Sequence, residues 1–304
     1  MPAVAKREHA SWEFEPGAEI APGRSVLRSL GGGSRYEVFL VWEERMLAPL
    51  AAKVLRPDQA GEEKALRDLR REAEALERLK HPVLIRSFDA VLEGPYPHVL
   101  VEHFDGDTLR RLIKRGGPLP LPQILPLALN VAAALHYLAA EEVVHLDVKP
   151  DNIVMGIPPR LIDLSVARTF ARARRINGTV GTDAYMAPEQ CDTEAYPGRI
   201  GAPADVWGLA ATLFHATAGR VPFPREKGAR ESDDRHVRFP QLRQEPGPLP
   251  PETPPALAEL IEAGLRKDPD ERPAAADFAM GLEPLVAELP RKVSATRRGL
   301  RFRA

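Results

Sequence analysis

The stretch VVHLDVKPDNIV, from Val143 to Val154, decides how the rest of the chain is read. A strand-like apolar pair is followed by Asp147, Lys149, Asp151 and Asn152, with an aliphatic Leu146 set among them. In an extended segment alternate side chains share a face, so Asp147 and Lys149 can address one substrate. A carboxylate there can accept or orient a hydroxyl proton, while the neighbouring ammonium offsets negative charge on a group in transfer. Asn152 offers an amide oxygen, a hard ligand suited to Mg2+. Shortly afterwards PRLIDLS delivers Asp163 from a strand into a loop as a second hard oxygen ligand. Aspartates at strand ends are often only turn formers, so each of these residues alone carries little weight.

A polyphosphate would need further holders, and the chain upstream offers them. SVLRSL, GGGS and RYEVFLVW, running from Ser25 to Trp42, read as two strands about a glycine turn. In a dinucleotide-binding unit the glycines would open a helix, whereas here an aromatic and β-branched strand follows. A glycine hairpin lets backbone N–H groups approach phosphate without interference from Cβ, although an ordinary tight hairpin has the same sequence. Lys53 lies in LAAKV, an apolar strand-like setting where a lone cation needs a partner. The helix expected from Gly61 to Lys80 carries Ala65, Leu69, Ala73, Leu76 and Leu79 at helical spacing and offers Glu72. A surface lysine on an edge strand is the plain alternative.

Around these segments the organisation is α+β. Residues 1–23 read as a polar, irregular extension with Trp12 and Phe14 as its large anchors. Strands continue at VLIRSFDAVLE and HVLVEHF, after which helices take over: TLRRLIKR, the run ending at Ala140, DVWGLAATLFHATAG and ALAELIEAGLRK. Strands first and helices later imply two lobes, residues 24–104 and 105–286, with the boundary near Phe104 to Gly106. Pro222 to Pro255 reads as mostly loop. Residues 287–304 form a basic tail, whose final stretch RKVSATRRGLRFRA carries Arg291, Lys292, Arg297, Arg298, Arg301 and Arg303 and no acid, which suits an acidic partner or plain solvation.

Composition narrows the classes. The 304 residues are 44% hydrophobic and 28% charged, ordinary for a globular protein with a sizeable core. A net charge of -1 argues against whole-protein attraction to nucleic acid or anionic membrane. Cys191 is the one cysteine, which excludes an internal disulfide and a cysteine-rich zinc site and fits a reducing cytoplasm. The apolar run from Pro126 to Ala140 is too short to span a bilayer and reads as a buried helix, and the opening residues lack a signal-peptide core.

Taken together and in order, these motifs resemble the protein kinases, and among them the bacterial, actinobacterial-type Ser/Thr kinases. The family's glycine loop corresponds to Gly31, Gly33 and Val38, its strand lysine to Lys53 with Ala51 beside the adenine, and its helix glutamate to Glu72. VEHFDG resembles the hinge and would set the backbones of Glu102 and Phe104 against the adenine, with Val154 also in the nucleotide site. The catalytic loop maps onto His145, Asp147, Lys149 and Asn152, and the metal aspartate onto Asp163. GTDAYMAPE carries Thr182 and Glu189, DVWGLA brings Asp205, and DPDERP brings Arg272 as the expected partner of Glu189.

The resemblance implies a small β-rich lobe with one long helix, a larger mainly helical lobe, and ATP with Mg2+ held between them. Asp147 and Lys149 would be catalytic, Asn152 and Asp163 metal ligands, and the substrate a protein Ser or Thr hydroxyl. The alternative is a catalytically weak, pseudokinase-like scaffold that binds ATP. Three positions depart from the family pattern. Tyr36 stands for the third glycine, DLS with Leu164 and Ser165 for DFG, and Leu146 for the arginine before the catalytic aspartate. That arginine ordinarily gathers a phosphate on the activation segment, so its replacement predicts a segment ordered by packing. Arg35, at the hairpin tip, is either a phosphate contact or a solvated turn residue.

Overall fold

The computed structural model describes residues 9–289, and the basic cluster from Arg291 to Arg303 lies outside them. Six strands make one antiparallel sheet in the order β1-β2-β3-β4-β6-β5. They are β1 (Glu19–Ala21), β2 (Arg24–Gly32), β3 (Tyr36–Glu43), β4 (Ala48–Leu55), β5 (Ser87–Val91) and β6 (His98–Val101), with α1 (Glu63–Arg78) between β4 and β5 in the chain. Period-two alternation gives the sheet two faces. Phe39, Val41, Leu50, Ala52, Val54 and Leu100 cluster on the outer face, where Trp12, Phe14 and Tyr96 cover them. Val38 pairs with Lys53 and Leu40 with Ala51, and these residues turn to the inner face with Tyr36.

The segment before Arg24 departs from expectation. Instead of being irregular throughout, it contributes β1, which pairs with β2 and buries Ile20. Trp12 stacks on Phe14, and its Nε1 donates to the Leu55 carbonyl at 2.7 Å. The cause is the outer sheet face, whose apolar area needs a cover that these two aromatics supply.

α1 runs two residues short of the expected end, since Leu79 is already extended and its N–H caps the helix on the Ala75 carbonyl. The expected apolar stripe buries Ala65, Leu69 and Leu76, and the same face buries Asp68 and Glu72.

The second lobe is mainly helical. Its elements are α2 (Leu109–Gly116), α3 (Leu121–Ala140), β7 (Val143–Val144), β8 (Ile153–Val154), β9 (Arg160–Leu161), β10 (Arg168–Thr169), α4 (Phe170–Ala173), α5 (Pro188–Cys191), α6 (Ala202–Ala218), α7 (Arg235–Arg238), α8 (Pro255–Gly264) and α9 (Ala275–Ala287). α3 packs on α6 and α9, and α8 packs on α6. At 20 residues α3 is longer than the apolar run suggested, and by length and composition it could cross a membrane. Its residues Val131, Ala132, Ala134, Leu135 and Leu138 are instead buried in the core, as befits a helix apolar on all sides. Pro126 inside it has no N–H to offer the Pro122 carbonyl, and one turn on Asn130 Nδ2 donates to the Pro126 oxygen at 2.8 Å. Two-stranded ladders β7–β10 and β8–β9 place the loop after β7 at the lobe boundary.

Candidate active site

The loop after β7 is built on Asp205, from the N-terminal part of α6. Its buried carboxylate accepts the backbone N–H groups of His145 and Leu146, each at 2.7 Å. Leu146 is held there at φ 67°, a left-handed conformation that a γ-branched side chain rarely adopts, and its side chain is buried. Gln190 completes the clamp by donating Nε2 to the Leu146 carbonyl at 2.9 Å and to the Val180 carbonyl at 2.8 Å. His145 is fully buried, burial pushes its pKa below the ordinary value, and its Nδ1 accepts the Asp147 N–H at 3.3 Å.

On this support four side chains meet. Lys149 Nζ donates to Asp147 Oδ2 at 2.6 Å, and Asn152 Nδ2 donates to the same oxygen at 3.1 Å. Thr182 Oγ1 donates to Asp147 Oδ1 at 2.7 Å and accepts from Lys149 Nζ at 2.6 Å. Asp147 is thereby fixed on both oxygens.

Across the cleft, Lys53 Nζ donates to both oxygens of Glu72, at 2.7 and 2.9 Å, and to Asp163 Oδ1 at 2.8 Å. Burial alone would lower the lysine pKa, but Asp163 and Glu72 outweigh it and hold the ammonium above its ordinary value. Burial would likewise raise Asp163, yet the Lys53 charge holds its carboxyl well below the carboxylate range. Asp163 has φ 69° and also accepts the Ser165 N–H at 3.3 Å, while Leu164 is buried in the core. The strand lysine, the helix carboxylate and the loop carboxylate thus form one charge system, with Glu72 buried and Lys53 and Asp163 half-buried at the cleft.

The hairpin and the lobe connection complete the cleft. Gly31 sits at φ 104°, and a side chain on Gly32 would bring its Cβ to 2.4 Å from the Tyr36 carbonyl oxygen. Gly33 has open space around it, so the steric demand falls on Gly32, which sequence reading passed over. Ala51 is buried beside Val101 of β6, and Val38 is half-buried opposite Lys53.

Glu102 turns its carboxylate to Arg86 and Arg160, at 3.0 and 3.3 Å, and the Arg160 guanidinium also lies over the Phe104 ring at 4.6 Å. These two arginines hold the connecting segment and were not singled out in the sequence, because no local pattern links them to Glu102. Val154 on β8 bridges to Thr108, next to Gly106, where an added Cβ would meet the Met155 carbonyl oxygen at 2.3 Å.

Comparison with known proteins places the chain in a family. The family described as protein kinase domain matches residues 24–280. The chain belongs to the protein kinase family. It is 33% identical over 246 residues to the serine/threonine-protein kinase PkaA of Streptomyces coelicolor, covering 79% of this chain and 43% of that protein. It is 28% identical over 256 residues to the serine/threonine-protein kinase PknB of Mycobacterium leprae, covering 80% of this chain and 39% of that one. With the serine/threonine-protein kinase PrkC of Bacillus subtilis it shares 27% identity over 263 residues, 84% of this chain and 39% of the relative. The chain therefore spans about two-fifths of the length of these curated relatives.

The segment from Asp163 to Glu189, which the resemblance reads as an activation segment, is tied down at several points. β10 pairs with β7, and the Phe170 N–H bonds to the Glu142 carbonyl at 2.8 Å. Glu189 meets Arg272 through two bonds of 2.7 and 2.8 Å, and both side chains are fully buried. Arg272 spends its other donors on the carbonyls of Pro203, Arg266 and Lys267. Arg35 pairs with Asp68 on α1 at 3.1 Å, which ties the hairpin tip to the helix.

The donor set of Asn152 and Asp163 fits a magnesium ion. Asn152 uses its amide nitrogen toward Asp147, which leaves the amide oxygen for a cation. Among the described residues no group of three or more His, Cys, Asp or Glu forms a metal cage. Two hard protein ligands completed by phosphate and water are what magnesium favours.

Proposed function

We propose that this kinase transfers the γ-phosphoryl group of ATP to Ser or Thr hydroxyls of protein substrates. The observation that carries the reading is the pairing of two constellations across one cleft. Asp147, Lys149, Asn152 and Thr182 lie on the helical lobe, and Lys53 with Glu72 lies on the sheet lobe, joined by Asp163.

In this reading Gly31 and Gly33 line the phosphates, Val38, Ala51 and Val154 enclose the adenine, and the backbones of Glu102 and Phe104 bind its edge. Lys53, kept in place by Glu72, holds the phosphates. Asn152 and Asp163 would hold magnesium, which when bound neutralises charge on the phosphates. Asp147 orients the attacking hydroxyl and takes its proton as the oxygen bonds to the γ-phosphorus and the bond to the β-phosphate oxygen breaks, releasing ADP. Lys149 offsets charge on the group in transfer. Catalysis is then mainly positioning and electrostatics. Lys149 beside Asp147 suits a Ser/Thr acceptor, and the lobes would divide between Phe104 and Gly106. Cys191 is a buried free thiol, consistent with a reducing cytoplasmic setting.

The test is phosphotransfer from labelled ATP with Mg2+ to a protein substrate, run beside Asp147→Asn and Asp163→Ala. Turnover should fall by about two orders of magnitude or more in both, with ATP binding retained in Asp147→Asn. Wild-type turnover in Asp147→Asn would overturn the assignment. Absence of turnover in the wild type, with ATP bound, would favour the scaffold reading.

A further inference from the structure

Tyr36 takes no part in the chemistry described so far, yet it stands inside the cleft. It shares the inner face of the sheet with Val38, Ala51 and Lys53. Val38 is opposite Lys53 in the register, so Tyr36 is the diagonal neighbour of that lysine on the hairpin side. The residue is only 8% exposed, and the Lys53 ammonium lies 4.3 Å from the centre of its ring. The ammonium has already spent its donors on Glu72 and Asp163. The tyrosine hydroxyl is buried and has no hydrogen-bond partner among the described residues. Burial, reinforced by the Glu72 charge, pushes its pKa up to about 12, so the ring is a neutral aromatic cap on the cation.

We propose that Tyr36 gates the phosphate site: its ring occupies the approach to Lys53, and a nucleoside di- or triphosphate must displace it to bind. This inference rests on the ATP-dependent reading and extends it to the selectivity of that site. The kinase pattern has glycine here and presents no ring. Displacement falls on the ring because the hairpin is strapped from outside. Arg56 donates Nε to the Gly33 carbonyl at 2.7 Å and Nη1 to the Ala10 carbonyl at 2.8 Å. Glu37, the next residue, accepts from Ser11 Oγ at 2.6 Å and from the Trp12 N–H at 3.0 Å. The ring itself is held by packing and the cation–π contact, with no hydrogen bond to break. Adenosine, which carries no phosphate, has no reason to move it.

Calorimetric titration of the full chain with adenosine, ADP and ATP in Mg2+ tests the gate in wild type, Tyr36→Gly and Tyr36→Phe, each checked by thermal melting. Removing the ring should tighten ADP and ATP about ten-fold and leave adenosine unchanged, because the cost of opening disappears. Tyr36→Phe keeps the ring and should track the wild type. If the glycine variant melts early, Tyr36→Ala carries the same comparison. Equal or weaker ATP affinity without the ring, or a gain shared by adenosine, overturns the gate. Tightening in Tyr36→Phe also overturns it, since the hydroxyl and not the ring would then be responsible. Failure of every variant to bind ATP while adenosine binds would bring down the ATP reading itself, and the gate with it.

Discussion

Leu146 shows how one residue can belong to a site without doing its chemistry. Its backbone is committed to the site, with the amide on Asp205 and the carbonyl on Gln190, while its side chain is buried in the core. The left-handed conformation costs on the order of 1–3 kcal/mol and persists because these contacts determine it. An arginine there could reach a phosphate, whereas leucine anchors the loop by packing. Arg35 makes the opposite case. As the exposed tip of a glycine hairpin it invites a phosphate-binding role, yet its guanidinium is engaged by Asp68. Arg35→Ala is therefore expected to leave the ATP dissociation constant within about two-fold of wild type in calorimetry, since a half-exposed ion pair contributes little. Chemistry-bearing residues were readable because their types and spacing are diagnostic. Their supports, Gln190, Arg86 and Arg160, were not, because each acts across a distance in sequence that no local period encodes.

At the scale of elements, the same limit explains the opening segment. Its composition reads as irregular, and only the outer face of the sheet, formed by residues up to Leu100, gives Trp12 and Phe14 a place to dock. The segment thereby becomes part of the lobe and braces the glycine hairpin through Glu37 and Arg56. Trp12→Ala removes half-buried aromatic area and the bond to the Leu55 carbonyl, so urea unfolding should show a loss of about 2 kcal/mol. The activation segment is held by other means. Strand pairing, the Gln190 clamp and the Glu189–Arg272 pair anchor it, and none of these involves Thr169 or Thr179 side chains, which are exposed. Initial rates on a separate substrate should accordingly stay within about two-fold after phosphatase treatment and in Thr169→Ala or Thr179→Ala. A strong loss restored by rephosphorylation would mean that Arg168, half-buried beside Arg71, Arg172 and Arg35, collects the phosphate that Leu146 cannot.

Across the whole molecule, ionisable groups buried in the helical lobe link its elements and make its stability depend on pH. Glu189 and Arg272 connect the end of the activation segment to the approach of α9 as a fully buried, bidentate pair, and this charge is matched. His215 on α6 is different. Its ring is buried, Nδ1 lies 2.6 Å from the Tyr185 hydroxyl, and Nε2 lies 3.3 Å from Arg110. No carboxylate touches the ring among the described residues, and burial, followed by the Arg110 charge, pushes its pKa down to about 4 from the ordinary 6.5. The folded protein therefore refuses a proton that the unfolded chain accepts. Above pH 6.5 the ring is neutral in both states and its contribution is intact. As pH falls from about 6.5 to 4 the unfolded state gains the proton first, and stability falls with it. Denaturant unfolding of wild type and His215→Gln at intervals across that window measures the effect, because glutamine keeps polar atoms but does not titrate. The variant should lose part of the acid slope while the two curves run parallel above pH 7. An identical slope in both proteins would show that another group carries the proton.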